Sequence, residues 1–164
     1  MEKLQDERIS PYDFISDAYK ALEQAKKEFD EYIREKEPMK LRDACEKAWL
    51  SVVLATDYLL VRVSAYKPRG RAERKKLLET LEKNVEEVKK LGLADRMFAR
   101  SERLHSDGFY EGSMDEESFR TEIEKVERYL KDVESVAEVI WKDTRQRLQL
   151  LKSFEEIARR FRKV

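Results

Sequence analysis

The residues that could perform chemistry lie in one segment, 96–111, which contains the only histidine of the chain. Ser101 and His105 are four residues apart and would share one face of a helix, so they could act as a nucleophile and its base. The sequence shows neither an acid to orient the imidazole nor an oxyanion hole, which a hydrolase of this type needs. Arg100, with four residues between it and His105, is the other candidate partner. The structural alternative is a lone histidine that caps a helix or packs in the core.

The spacing of Arg100 and His105 sets a condition on the backbone. On an unbroken α-helix, residues five apart point about 140° away from each other, since each residue turns about 100°. The two side chains can therefore meet one small ligand only if the helix ends or bends between them. The turn-forming residues Ser106-Asp107-Gly108 predict an end directly after His105.

Two neighbouring groups could extend such a site. Tyr110 and Glu111 could line the same cleft, although Phe109 and Tyr110 could equally pack the loop against the fold. A basic run at a predicted helix start could grip a phosphate backbone, and its alternative interpretation is a solvated loop and helix face. The run consists of Arg69, Arg71, Arg74, Lys75 and Lys76.

Composition excludes several classes of function. Lys+Arg 35 and Asp+Glu 35 give a formal net charge of zero, so nucleic acid or an acidic substrate must be met by a local patch. The chain has no glycine-rich phosphate loop, and one histidine with one cysteine cannot form an ordinary zinc site. A carboxylate-only metal site stays open, but solvated helix faces explain the acidic residues more simply. We therefore expect no metal and no cofactor.

The expected location is the cytoplasm. Cys45 has no partner for a disulfide, which fits a reducing compartment. The N-terminus lacks the apolar core of a signal peptide, and no stretch approaches the roughly twenty apolar residues of a membrane span. The charged fraction of 43% would also suit a heat-adapted host, in which ion-pair networks cost less desolvation.

The elements that must position these residues are helices. Ser10-Pro11 is a strong helix start, Gly92 allows a left-handed cap, and Ser113 with Glu116 forms a capping-box pattern. Apolar residues recur at three- and four-residue steps between these signals. The predicted helices cover 11–37, 40–67, 71–91, 93–105 and 114–163, with the last one either continuous or broken near Ser153. We predict an all-α, up-and-down antiparallel bundle of four main helices, in a single domain over residues 1–164.

Parts of this sequence resemble known families. Arg100 and His105 match the arginine, four to six residues, histidine motif of the HEPN superfamily of small helical bundles. The Leu-His and Phe-Tyr-Glu pieces around the motif, together with Ala-Cys-Glu-Lys-Ala-Trp at 44–49, look more particularly like the PaREP family of archaeal helical proteins. The resemblance covers roughly residues 10–140, and the C-terminal extension has no counterpart that we can place.

The resemblance implies an activity. Nuclease members of the superfamily are dimers that bring two copies of the motif together across a cleft and cleave RNA without a metal, by attack of the ribose 2′-hydroxyl. Carried over, His105 would transfer a proton or position the substrate, and Arg100 would bind the phosphate and offset its developing charge. The residue after the motif arginine is often asparagine, aspartate or histidine in the family, whereas Ser101 here is a shorter polar side chain.

The leading hypothesis is a HEPN-like protein that binds RNA or nucleotides, and that acts as a metal-independent ribonuclease if the motif is active in a homodimer. Its catalytic residues would be Arg100 and His105, and Ser101, Tyr110 and Glu111 would bind substrate. One alternative is a non-catalytic interaction bundle, such as the helical partner of a nucleotidyltransferase. The other is a structural homo-oligomer whose C-terminal helix supplies the contact surface.

Overall fold

The structure, a computed structural model, describes residues 10–162, and every regular element in that range is a helix. The predicted all-α class is therefore confirmed for this part of the chain. No helix in it is long and apolar enough to cross a membrane. The elements are α1 (Pro11–Glu35), α2 (Pro38–Ser64), α3 (Arg71–Asn84), α4 (Glu86–Leu91), α5 (Leu93–Arg100), a π-helix (Ser101–Tyr110), α6 (Glu116–Trp141) and α7 (Thr144–Arg162).

The ends of α1 and α2 are set by left-handed residues. Lys36 follows α1 with φ 55°, and Ala65 follows α2 with φ 56°. Pro38 opens α2 at the first helical position, where its missing amide hydrogen costs nothing. The predicted ranges 11–37 and 40–67 are therefore wrong at these ends, because α1 stops at Glu35 and α2 runs from Pro38 to Ser64.

α1 and α2 pack side by side in antiparallel directions. Ser51 of α2 donates a hydrogen bond from Oγ to the carbonyl oxygen of Ala18 at 2.7 Å, near the middle of both helices. Closer to the connection, Lys40 pairs with Glu31 at 2.8 Å. Both partners of the second pair lie nearer to the two-residue connection than those of the first, as expected for two antiparallel helices joined by a short loop.

α6 closes the core over both of these helices. Phe119 stacks on Phe29 of α1 with ring centroids 4.5 Å apart. The fully buried Tyr129 shares a hydrogen bond of 2.7 Å with Thr56 of α2. A hydroxyl buried without a partner costs free energy, so this bond fixes the position of α6 on α2 as well as satisfying both groups.

Two of the predicted helices are interrupted. The predicted helix 71–91 divides at Val85, whose extended backbone (φ −128°, ψ 108°) separates α3 from α4 while its side chain stays buried. The predicted segment 114–163 breaks between Trp141 and Thr144, and not at Ser153. Asp143 accepts a hydrogen bond from the amide of Gln146 at 3.0 Å, so this carboxylate caps the start of α7.

The short helix predicted over 93–105 does not end after His105. α5 continues as the π-helix, in which each amide bonds the carbonyl five residues back, and the amide of Glu111 still bonds Ser106 at 2.9 Å. Arg42 of α2 donates to the last carbonyl oxygens, those of Phe109 at 2.7 Å and Tyr110 at 2.6 Å. The expected turn at 106–108 is therefore helical, and its end is capped by a neighbouring helix.

Gly108 explains why the π-helix can lie so close to α2. A Cβ atom at this position would be 2.6 Å from Sγ and 2.8 Å from Cβ of Cys45. Glycine is therefore required for close packing and not for a turn. The same contact buries the thiol, and burial raises the pKa of Cys45 to about 12.

We expect Gly108→Ala to lower the free energy of unfolding by about 1–3 kcal/mol, because overpacking a tight contact costs that much. On an exposed helical surface the same substitution would stabilise by up to about 1 kcal/mol, so the sign of the change is diagnostic. Urea unfolding followed by circular dichroism measures it. Cys45→Ala removes Sγ, and in the double variant it should recover part of the loss. Equal or higher stability of Gly108→Ala would contradict the close approach.

Candidate functional site

Arg100 is a buried structural residue in a single chain. It is 7% exposed, and its guanidinium lies against Glu122 of α6, which has no exposed surface. Nε of Arg100 is 2.5 Å from Oε2 of Glu122, but its N–H is not aligned for a hydrogen bond; Nη2 donates to Oε1 at 3.5 Å. Arg103 and Lys125 approach the same carboxylate at 3.6 Å from more exposed positions. Arg100 thus neutralises a buried charge, which would otherwise be costly.

His105 points toward α2. Its Nδ1 lies 2.8 Å from Oε2 of Glu46, and its side chain is 24% exposed, so solvent reaches the pair. The ring lies 6.2 Å from Trp49, measured between centroids. Tyr110 meets it edge-on at 4.9 Å. Tyr110 follows His105 by five residues, which in a π-helix is close to one turn.

The structure does not bring Arg100 and His105 together. The guanidinium faces α6 through Glu122, whereas the imidazole faces α2 through Glu46. The expectation that the two groups face a common cleft within one chain is therefore wrong. The hydrogen-bonding pattern changes from α-helical to π-helical between the two residues. Each side chain nevertheless pairs with a different carboxylate.

Ser101 lies in a cleft between α2, α3, α5 and the π-helix, with a volume of about 320 Å³. We refer to it as the basic cleft. Its walls combine cations with aromatic and apolar side chains, and include one carboxylate, Glu102. The lining residues are Trp49, Arg71, Arg74, Lys75, Met97, Phe98, Ser101 and Glu102.

The cations of the basic cleft are not equally engaged. Arg74 makes a bidentate contact with Asp57: Nε donates to Oδ1 at 2.7 Å and Nη2 donates to Oδ2 at 3.1 Å. Burial raises the pKa of Asp57, and the hydrogen bonds from Arg74 act in the opposite direction. Arg71 donates to Ser101 Oγ at 3.3 Å, and Lys75 lies over the ring of Phe98 at 4.7 Å.

Two of these cations remain available for a ligand. Among residues 10–162, no carboxylate lies within 4.0 Å of the charged groups of Arg71 or Lys75, and both side chains are exposed. The indole of Trp49 lies between the cleft and His105, so an aromatic surface leads from the cleft to the imidazole. The arrangement can hold an anionic group near a flat ring.

The other predicted substrate residues lie elsewhere. Tyr110 is exposed beyond His105, with its ring edge-on to the imidazole. Glu111 lines a separate cavity of about 190 Å³ beside Arg42 and Gly112. Ser101 alone of the three predicted binding residues lies in the basic cleft.

Sequence reasoning missed the roles of Trp49, Glu46 and Glu122. Trp49 fits the apolar stripe of α2, but it is only half-buried and contributes its ring to the cleft. The two glutamates carried no distinguishing signal among 35 acidic residues. In the described part of the chain, no three histidine, cysteine, aspartate or glutamate side chains are grouped so that they could hold a metal ion.

Comparison with known proteins gives one family. A model of the archaeal PaREP1/PaREP8 family matches residues 20–130, which include the basic cleft, the π-helix and Glu122. Neither a curated protein nor a solved structure matches the chain significantly.

We expect Arg100→Ala to lower the free energy of unfolding by about 3 kcal/mol, because it leaves the buried carboxylate of Glu122 without its closest partner. Arg103→Ala is the matched control: it removes the same side-chain type from the same carboxylate, but from a half-exposed position, and should cost less than about 1 kcal/mol. Thermal or urea unfolding of both variants gives the comparison. Similar small losses would show that Arg100 is not the anchor of Glu122.

Proposed function

The chain belongs to the archaeal PaREP1/PaREP8 family, and we propose that it binds single-stranded RNA in the basic cleft. Arg71 and Lys75 would contact phosphates, and a base would stack on the exposed part of Trp49. Single-stranded nucleic acid is commonly held by cations that follow the backbone together with aromatic rings that accept any base. Ser101, already bonded to Arg71, would orient that guanidinium toward the phosphate.

The observation that carries the proposal is the pair of exposed cations, Arg71 and Lys75, which have no carboxylate partner among residues 10–162 and lie beside an aromatic wall. A solvated charge run on a helix would instead be interspersed with acidic partners, as Lys26 is with Glu23 and Glu127. The net charge of the chain is zero, so the local excess at Arg71 and Lys75 is a property of this surface.

A labelled oligouridine should bind with measurable salt dependence, which fluorescence anisotropy over a range of salt concentrations would follow. In the double variant Arg71→Ala/Lys75→Ala we expect about tenfold weaker binding at about 0.1 M salt. The slope of log K against log salt should shrink by about 1.4, because each lost phosphate contact to a single strand accounts for about 0.7.

Lys89→Ala/Lys90→Ala is the control for this experiment. It removes the same charge from two exposed lysines of α4, which do not line the basic cleft. If both double variants weaken binding and reduce the slope equally, the RNA responds to overall charge and the cleft proposal fails.

Cleavage of the bound RNA is a second candidate function, in line with the wider HEPN resemblance. It is favoured by the solvent-accessible imidazole of His105, hydrogen-bonded to Glu46 and close to the Trp49 wall of the cleft. A base oriented by a carboxylate can take a proton from a ribose 2′-hydroxyl. Because Arg100 is occupied by Glu122, the phosphate would have to be bound by cleft cations or by a second copy of the chain in a homodimer.

The cleavage candidate predicts that wild-type protein degrades single-stranded RNA in the presence of a chelator. His105→Ala should abolish degradation, while Arg71→Ala/Lys75→Ala should mainly raise the RNA concentration needed. Gel analysis of labelled RNA, with helicity checked by circular dichroism, measures both. RNA that is bound but stays intact would exclude cleavage and leave the binding function standing.

A further inference from the structure

A second, larger cavity lies at another part of the fold. It is formed where α1 begins, α2 ends, α6 ends and α7 begins, and its volume is about 490 Å³. We call it the terminal pocket. Among residues 10–162, the terminal pocket and the basic cleft share no lining residue. Its size falls within the range of cavities that hold small organic ligands, about 300–1,000 Å³.

The terminal pocket has a one-sided charge. Three cations line it, Arg62, Lys67 and Arg147, and no aspartate or glutamate of residues 10–162 is among the lining residues. The remaining walls are aromatic and aliphatic, with Tyr12, Phe14 and Trp141 as the rings. In a chain with equal numbers of acidic and basic residues, a pocket whose charged lining residues are all cations, within the described part of the chain, is suited to an anion.

Arg62 is the most deeply placed of the cations. It is 7% exposed, and its guanidinium carbon lies 5.2 Å from the ring centre of Tyr12 and 4.0 Å from that of Trp141. Its Nη2 donates to Glu138 at 3.0 Å, a carboxylate outside the pocket lining that is half-exposed. The hydroxyl of Tyr58 also neighbours this guanidinium, whose Nε has no acceptor in the described part of the chain.

Arg147 places a second guanidinium on the same indole. Its guanidinium carbon is 3.5 Å from the ring centre of Trp141, and its buried Nε also has no acceptor among residues 10–162. Two like charges on one ring repel each other, and Glu138 pairs with only one of them. An anionic group near both would relieve the repulsion and offer acceptors to under-used donors.

The rings define the rest of the ligand. Tyr12 is 54% exposed and Trp141 is 40% exposed. Arg62 and Arg147 cover the faces of the indole, so the rings present apolar edges at the mouth of the pocket. We propose that the terminal pocket binds a small organic anion, a planar aromatic ring that carries a carboxylate or a phosphate ester. The anionic group lies near Arg62 and Arg147. The ring packs against the aliphatic lining, such as Val61 and Leu151, and against the exposed edges of Tyr12 and Trp141.

The two tryptophans make the test specific. Trp49 lines the basic cleft and Trp141 lines the terminal pocket, and the chain has only these two. Two-dimensional ¹H–¹⁵N NMR of the full chain resolves one indole N–H signal for each, and Trp49→Phe assigns them. The probes are naphthoate, naphthyl phosphate, the uncharged naphthamide and the ringless acetate.

We expect the Trp141 signal to shift saturably with naphthoate or naphthyl phosphate at sub-millimolar to millimolar concentrations, while Trp49 does not move. Whichever of the two anions binds more tightly shows which anionic group the pocket prefers. Naphthamide and acetate should bind at least about tenfold more weakly, because each lacks one half of the recognition. No shift of Trp141 with either aromatic anion, or an equal response to naphthamide, would overturn the proposal.

A pair of variants separates the pocket from general charge. Arg147→Met keeps an unbranched side chain against Trp141 but removes the guanidinium, and should weaken naphthoate binding about tenfold. Arg145→Met removes the same charge from an exposed residue of the same helix turn that does not line the pocket, and should leave binding within twofold. Equal weakening by both variants would overturn the assignment of the site. Because RNA binding is reported by Trp49 and by different cations, failure here leaves the basic cleft untouched.

Discussion

The buried carboxylate of Glu122 is the constraint on which the region around the π-helix depends. A charge with no exposed surface must be neutralised within the fold, and Arg100 does this from the last turn of α5. That contact fixes which face of α5 meets α6. The π-helix continues from this fixed point, so Ser101 lies toward Arg71 of α3 and His105 toward Glu46 of α2. The residue that resembles a catalytic arginine therefore neutralises Glu122 and positions the elements around it.

The elements marked by strong local signals could be predicted from the sequence, and those fixed by tertiary contacts could not. Pro11 begins α1, because proline fixes φ at a helical value, and Gly92 separates α4 from α5, because glycine adopts the left-handed conformation without strain. The break at Val85 has no such residue and depends on burying that side chain. At Gly108 a strong local signal gives the wrong prediction. Glycine after Ser106 and Asp107 predicts a turn, but here it allows the close contact with Cys45.

The candidate site shows the same difference between what local sequence signals predict and what tertiary contacts decide. The types of residue that could do chemistry were visible in the sequence, since a single histidine and a dense basic run stand out in any composition. Their partners were not visible. Glu46 lies 59 residues from His105 and Asp57 lies 17 from Arg74, and only packing of separate helices brings these charges together. Such partners decide whether a cation is occupied: Arg100 is held by Glu122, whereas Arg71 is exposed and has no carboxylate within 4.0 Å among residues 10–162.

The hydrogen-bonding pattern of residues 101–110 also determines how this segment tolerates changes in length. His105 and Tyr110 adjoin because five residues make about one turn there. In an α-helix of the same sequence they would point about 140° apart. Loops usually absorb insertions and deletions freely. Here, adding or removing one residue before Gly108 would rotate every later side chain by about 70° and detach Gly108 from Cys45, so relatives should keep residues 101–110 at constant length even where their side chains differ.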